Sequence, residues 1–216
     1  MQVDDILLYI FIFILGLILF LIKIFRPKIK GWLGEKSVSN NLMDLPQGAY
    51  HVLDNVMIPS ENKTTQIDHV VVSRFGVFVI ETKNYKGIIY GQERDTTWTQ
   101  YINPNSKYQF MNPLHQNYGH VIALKALLDE EHIYSVVAFK DGVFGKKMPD
   151  NVMQVSEVKD YIRGFRKSVI SPVRVRRIVS LIQDSNIRSR TTRRSHVKSI
   201  KVRKNATESQ RRRRDR

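Results

Sequence analysis

The chain has 216 residues, enough for one domain of common size plus appendages, and it contains no cysteine. Disulfide bonds and cysteine-ligated zinc sites are therefore excluded, and a reducing compartment fits this composition. The formal net charge is +15, of which residues 188–216 supply +11, so the rest of the chain is nearly balanced.

An uncharged apolar segment lies near the N-terminus. Residues 6–22 read ILLYIFIFILGLILFLI, and the segment extends to Phe25 if the Lys23 ammonium reaches the interface. A helix of this length spans about 26–30 Å, roughly the hydrocarbon thickness of a bilayer. Acidic Asp4 and Asp5 precede it and no small-residue cleavage site follows, which favours a membrane anchor over a signal peptide. A buried core helix is disfavoured because no face of the segment is polar.

The charges that flank this segment predict its orientation. Lys23, Arg26, Lys28 and Lys30 follow it, whereas only acids precede it. Since positively charged flanks stay cytoplasmic, we expect a single-pass protein of the cell membrane with its soluble domain in the cytoplasm. Pro27 is expected to end the anchor helix.

The remaining pattern alternates between helical and extended segments. In chain order we predict a helix at 32–43, a strand at 50–58, a polar loop at 59–65, a hairpin of strands 67–73 and 77–83, short strands at 87–91 and 97–102, a helix at 112–130, strands at 133–139 and 152–155, and helices at 156–166 and 171–185. This order predicts a mixed α/β fold in which helices cover a central sheet.

Four regions are expected along the chain. They are the anchor at 1–27, a main domain at 28–140, a C-terminal strand and helical extension at 141–187, and a basic tail at 188–216. The tail has few apolar residues and four consecutive arginines, a composition typical of disorder. It is expected to bind nucleic-acid phosphates or the anionic inner leaflet, or to be a solvated tail without a specific partner.

The predicted hairpin carries ionisable residues at one end. Asp68 begins one apolar run, and Glu81 and Lys83 finish the other, so pairing about the 74–76 turn sets Asp68 close to opposite Glu81. Two adjacent carboxylates repel unless a cation lies between them, and oxygen ligands suit Mg²⁺ or Mn²⁺. With Lys83 to hold or activate a water, metal-assisted phosphodiester hydrolysis is the favoured reaction.

These residues resemble the nuclease-related domain (NERD) family, which is similar to PD-(D/E)xK nucleases. The stretches that carry the resemblance are Gly34-Glu35 with Val38, residues 65–72 (TQIDHVVV), residues 76–84 (GVFVIETKN), and the downstream Gly87, Gly91, Trp98, Asn112-Pro113, Gln116-Asn117 and His120. The resemblance covers about residues 31–139. It implies a restriction-endonuclease-like fold and a DNA-processing role.

The resemblance also implies roles for individual residues. Asp68 and Glu81 would bind Mg²⁺ or Mn²⁺, and Lys83 would act on the water or the scissile phosphate. Glu35 would complete the metal shell through a water. Gln66 is a further candidate for the catalytic site, where it would orient the substrate. Gln116 and Lys86 are candidates for binding the substrate.

Other polar and aromatic residues near these motifs have plainer interpretations. His69 lies on the strand face opposite Asp68 and is expected to be packed or hydrogen-bonded rather than a ligand. His120 follows Gln116 by four residues on one helix face, which favours a structural hydrogen bond. Trp98 is expected to pack in the core, and Gly87 and Gly91 to serve turns.

Together these patterns predict a membrane-anchored nuclease that hydrolyses nucleic acid, DNA more than RNA, at the cytoplasmic membrane face with Mg²⁺. The alternative is a non-catalytic module that binds nucleic acid or serves as a scaffold on a nuclease-like fold.

Overall fold

The computed structural model describes residues 3–60 and 63–187, and the predicted basic tail lies outside the described residues. The elements are α1 (Val3–Leu42), β1 (Tyr50–Ser60), β2 (Lys63–Ser73), β3 (Gly76–Tyr90), β4 (Thr97–Asn103), β5 (Ser106–Met111), α2 (Pro113–Leu128), β6 (Ile133–Phe144), β7 (Val152–Gln154), a 3₁₀ turn (Val155–Glu157), α3 (Val158–Gly164) and α4 (Pro172–Ser185). This order confirms the predicted mixed α/β fold with a leading apolar helix.

The first helix is continuous over 40 residues and contains Pro27. The expectation that Pro27 ends the anchor helix is therefore wrong. A proline inside a helix costs about 3 kcal/mol, and here the helix on each side is long enough to continue across it. Residues 10–29 are exposed, and α1 is long and apolar enough to cross a membrane.

The second part of α1 packs on the sheet. Val38 and Leu42 are buried against Val71 of β2 and Phe78 of β3. Gly34 permits this approach, because a Cβ at that position would lie 2.9 Å from the Cβ of Asn84. The helix that carries the apolar N-terminal segment is thus also a structural element of the domain.

Seven strands form one mixed sheet. Strands β1, β2 and β3 pair antiparallel in sequence order, β6 lies parallel to β3, and β7 lies parallel to β6. The β4–β5 hairpin pairs with the last residues of β3. Helices α2 and α4 pack on one face, where Val70 and Val79 are buried, and α1 and α3 pack on the other.

One edge of β3 is shared by two strands with a gap between them. Strand β2 pairs with β3 as far as Ile80, and β4 resumes the pairing at Ile88. Since β6 occupies the other edge, residues 81–87 have no ladder partner on this edge within the described part of the chain, and the Gln100 side chain of β4 reaches the Lys86 carbonyl there. The ionisable residues of the hairpin lie at the start of this gap.

Several local predictions differ from the structure. The predicted polar loop at 59–65 belongs largely to the ends of β1 and β2, and the predicted short strand at 87–91 is the end of β3. The helix expected from Ser156 begins as a 3₁₀ turn with a capping box between Gln154 and Glu157. Gly87 has φ +84° at an irregularity in β3, and a Cβ there would lie 2.0 Å from the carbonyl oxygen of Tyr101.

Candidate active site

The hairpin register places Asp68 and Glu81 together. His69 pairs with Ile80, so Asp68 and Glu81 are the next residues in that register. Both side chains lie on the face that carries Val70 and Val79, because alternate strand residues share a face. Asp68 Oδ2 accepts a hydrogen bond of 2.8 Å from the backbone N–H of Thr82, which fixes this carboxylate against β3.

Asp68 lies in surroundings that disfavour its negative charge. Burial and the neighbouring Glu81 carboxylate raise the pKa of Asp68 to about 7, against the stabilising Thr82 N–H, and Glu35 adds to the rise. Near neutral pH the Asp68 carboxyl is therefore partly protonated. A cation bound beside it would favour the charged form.

The side chains of Glu81, Lys83 and Gln116 form a closed triangle of hydrogen bonds. The Glu81 side chain is buried, and its Oε1 accepts from the Lys83 ammonium and from Gln116 Nε2, the latter at 2.7 Å. Gln116 Oε1 in turn accepts from Lys83 Nζ at 2.9 Å. Gln116 thus holds the acid and the amine in a fixed mutual position.

The two charges of this triangle stabilise each other. Burial alone would raise the pKa of Glu81, but the Lys83 ammonium and His120 outweigh burial, and the pKa is lowered. Burial alone would lower the pKa of Lys83, but the Glu81 carboxylate outweighs it, and the pKa is raised. Both groups are therefore ionised near neutral pH.

His120 lies against the other oxygen of Glu81. Its Nε2 is 3.3 Å from Glu81 Oε2, and its Nδ1 is 2.7 Å from Thr65 Oγ1. The geometry between Nε2 and Oε2 is not aligned for a hydrogen bond, so both buried atoms lack a hydrogen-bond partner among the described residues. The structural hydrogen bond expected for His120 is present, but the contact with Glu81 was not predicted, although its i+4 spacing from Gln116 indicated a shared face.

The remaining candidate residues are less closely connected to this centre. Gln66 Nε2 donates a 3.0 Å hydrogen bond to Asn55 Oδ1. Glu35 is half-buried on α1 and close enough to Asp68 to affect its pKa. Lys86 is exposed, and among the described residues no hydrogen bond or ion pair links its side chain to Asp68, Glu81 or Lys83.

A protein-family model matches the part of the chain that contains these residues. The family model described as the nuclease-related domain (NERD) matches residues 30–140. The chain belongs to the nuclease-related domain family. An uncharacterized protein of Bacillus anthracis is 36% identical over 181 residues, which are 81% of this chain and 85% of that protein. No solved structure matches the chain.

Two asparagines of the nuclease-related domain fix α2 over the sheet. Asn112 accepts from the backbone N–H of Leu114 as helix cap, and its Nδ2 donates to three carbonyls of residues 92–95. Asn117 is fully buried and donates to the carbonyls of Val79 and Val136 on the two central strands. Asn112 and Asn117 hold the start of α2 in place on either side of Gln116. Because the helix is fixed there, the Gln116 side chain reaches Glu81.

Two further expectations for the nuclease-related domain are confirmed. His69 is buried, and its Nδ1 lies 2.8 Å from Asp54 Oδ1 on the sheet face opposite Glu81. Trp98 is fully buried and stacks on Phe139. Gly91 serves this packing rather than a turn, because a Cβ there would lie 2.2 Å from the Trp98 ring.

The donors available for a metal ion are few. Among the described residues, no group of three or more His, Asp and Glu side chains is arranged to hold one. Asp68 and Glu81 are two carboxylates on one sheet face, and Glu81 Oε2 is a buried oxygen without a hydrogen bond. Such a set fits Mg²⁺ or Mn²⁺, which commonly bind through one or two carboxylates and keep several waters.

Proposed function

We propose that this chain is a divalent-metal-dependent nuclease that hydrolyses phosphodiester bonds of nucleic acid, DNA in preference to RNA. The observation that supports this most is the pairing of two carboxylates with a largely buried ammonium, Asp68 and Glu81 with Lys83, where one edge of β3 has no strand partner.

Asp68 and Glu81 would hold the metal ion. Glu81 Oε1 keeps its bonds to Lys83 and Gln116. Oε2 makes no hydrogen bond and lies 3.3 Å from His120 Nε2, and it is the oxygen left for a cation. Bound there, the ion would polarise a phosphoryl oxygen and lower the pKa of a metal-bound water.

Lys83 would stabilise charge that develops during the reaction. Its ammonium has one hydrogen bond to Glu81 and one to Gln116, which leaves a third N–H for a substrate oxygen or the attacking water. Because only 14% of the Lys83 side chain is exposed, that donor is worth more than it would be on a fully exposed lysine. Glu35, Gln66 and Lys86 remain candidates for the outer shell of the metal and for substrate binding.

The location of the reaction follows from α1. We propose that the apolar part of α1 spans the cell membrane and that the domain lies on the cytoplasmic side, where Lys23, Arg26, Lys28 and Lys30 flank the span. Cleavage would then be confined to nucleic acid that reaches the inner membrane surface. The basic tail would add affinity for phosphates of nucleic acid or lipid.

A cleavage assay on the full chain tests this proposal. The protein, purified in detergent, is incubated with supercoiled DNA, linear DNA and RNA in Mg²⁺, Mn²⁺ or EDTA. We expect metal-dependent cutting that falls about 10²–10³-fold in Lys83→Met and is also lost in Glu81→Gln, while the exposed Glu131→Gln control is unchanged. Binding of nucleic acid without cutting under any metal would instead support the non-catalytic module.

A further inference from the structure

The ends of β3 and β6, together with β4, expose an apolar surface on one face of the sheet. Ile88 of β3 and Val143 of β6 are paired neighbours, 43% and 65% exposed, and Tyr101 of β4 pairs with Ile88 from the other edge. A groove of about 440 Å³ borders Ile88 and Tyr101, and its lining also includes Tyr90, Thr99, Ile102 and Pro104. We call Ile88, Val143, Tyr90 and Tyr101 the β3–β6 patch. Exposed apolar surfaces of this kind mark contacts with a partner or a membrane.

The β3–β6 patch faces the side of the sheet on which α1 lies. The residues next to it, Ile89 and Gly142, turn towards each other on the opposite face, where Ile89 is buried with Leu114 of α2. Since adjacent strand residues point to opposite faces, Ile88 and Val143 point away from α2. They therefore point to the α1 side of the sheet.

The helix α1 leaves the sheet beside this patch. Asn84 Nδ2 donates to the Lys30 carbonyl at 2.7 Å, and the Lys30 ammonium lies 6.0 Å from the centre of the Tyr85 ring. Lys30 is also within charge range of Lys86 and Asp141, which are two residues before Ile88 and two before Val143 respectively. From residue 29 back to residue 10 every residue of α1 is exposed.

Lys30 is near both the apolar segment of α1 and Lys86, which lies just before the patch in β3. Phe25, the last residue of the apolar segment, is five helical residues from Lys30, which is about 7.5 Å. Ile88 is two strand residues beyond Lys86, about 7 Å. A bilayer surface at the level of Phe25 would therefore lie close to the β3–β6 patch.

The charge around the patch fits anionic headgroups. Arg26, Lys28 and Lys30 lie on α1 next to the span, Lys86 adjoins the patch, and the Lys107 ammonium lies 5.8 Å from the centre of the Tyr101 ring. Apolar side chains with tyrosines and a surrounding set of lysines are typical of interfacial membrane contacts.

We propose that the β3–β6 patch rests on the anionic surface of the bilayer that α1 spans, as a second membrane contact of the domain. This inference depends on the proposed span. Two contacts restrict how the domain can turn relative to the bilayer. Glu81 lies seven residues from Ile88 along β3, roughly 20 Å away along the strand, so the candidate active site is not part of the proposed contact.

Site-directed fluorescence on the full chain tests this contact, and the absence of native cysteine makes single labelling clean. Single cysteines at Ile88 and Val143 are labelled with an environment-sensitive dye in nanodiscs that hold one protein copy each. The nanodiscs contain phosphatidylcholine, with or without phosphatidylglycerol, and brominated lipid as the quencher. Leu17→Cys in the apolar segment is the positive control, and Val173→Cys, exposed on α4, is the negative control.

We expect dye at Ile88 and Val143 to be quenched to an extent between Leu17 and Val173, and more strongly with phosphatidylglycerol. Quenching at Leu17 with none at Ile88 and Val143 would overturn the contact and leave the span intact. Absence of quenching at Leu17 would overturn the span and the contact with it. A blue shift at Ile88 that appears only as protein concentration rises in detergent, without lipid quenching, would overturn the proposal in favour of a second copy of the chain.

Discussion

Lys83 and Gln116 are 33 residues apart in sequence, and the Lys83 ammonium donates a 2.9 Å hydrogen bond to Gln116 Oε1. The same amide donates to Glu81, so one neutral side chain holds both charges of the pair. Gln116 is therefore a positioning residue in this account, and its removal tests whether the triangle matters for the reaction.

Gln116→Ala is expected to lower the cleavage rate about 10–100-fold, as for other partners that orient a metal ligand. The reason is that Lys83 and Glu81 keep their ion pair but lose the amide that fixes its orientation. The rate is measured under metal saturation, with circular dichroism to confirm folding. The matched control is the exposed His115→Ala one residue earlier, and an equal loss there would contradict the role of Gln116.

Thr65 is expected to act on the site only through His120, because its hydroxyl contacts Nδ1 of that ring. Thr65→Val should lower the cleavage rate less than His120→Ala. The double variant should lose no more than His120→Ala alone, since coupled residues are not additive. The three rates are compared with wild type in one double-mutant cycle. Additive losses would show that Thr65 has a separate function.

The raised pKa of Asp68 predicts a pH dependence of stability without metal. Its pKa in the folded state is about 7 against an ordinary 3.8, because of burial and the Glu81 carboxylate. The folded state therefore binds more protons between these values, and the contribution of Asp68 to stability is lost as the pH rises from 3.8 to 7.

Unfolding of wild type and Asp68→Asn in EDTA across this pH range measures the effect. The free energy of unfolding of wild type, relative to the isosteric variant, should fall as the pH rises. Asparagine can still accept from the Thr82 N–H, so the variant keeps the local hydrogen bond. A difference that does not change with pH would contradict the raised pKa.

Asn117 is expected to contribute to stability rather than chemistry. Its buried amide joins α2 to the carbonyls of Val79 and Val136, so Asn117→Ala should lower the free energy of unfolding by about 1–3 kcal/mol. The exposed Asn105→Ala should change it by less than about 0.5 kcal/mol. Thermal unfolding in detergent compares the two variants. Equal effects of the two substitutions would show that the hydrogen bonds from Asn117 to Val79 and Val136 are not a major source of stability.

Much of the hairpin could be predicted because its signals are local. The apolar runs that become β2 and β3 are joined by a short turn that contains Gly76, and strand alternation then places Asp68 and Glu81 on one face. The edge strand β5 was missed because it is short and its polar residues Ser106, Lys107 and Gln109 interrupt any apolar run, which is also the pattern of a loop. Polar residues at the ends of β1 and β2 misled the prediction of residues 59–65 in the same way.

The partners of Glu81 could not be predicted because they depend on tertiary docking. Gln116 and His120 reach Glu81 only because Asn112 and Asn117 fix α2 against the sheet. Helix periodicity showed that Gln116 and His120 share a face but not which strand that face meets. The continuity of α1 through Pro27 was not predicted either, because a proline inside a helical pattern usually ends or kinks the helix.

Isothermal titration calorimetry with Mn²⁺ at neutral pH is the direct test of the proposed metal site, because it measures metal binding without any substrate. Wild type is compared with Asp68→Asn, Glu81→Gln and the exposed control Glu131→Gln. We expect one ion per chain in wild type and in the control, with affinity strongly reduced in the two site variants. Equal binding by all four proteins, or no binding by wild type, would contradict a metal site formed by Asp68 and Glu81.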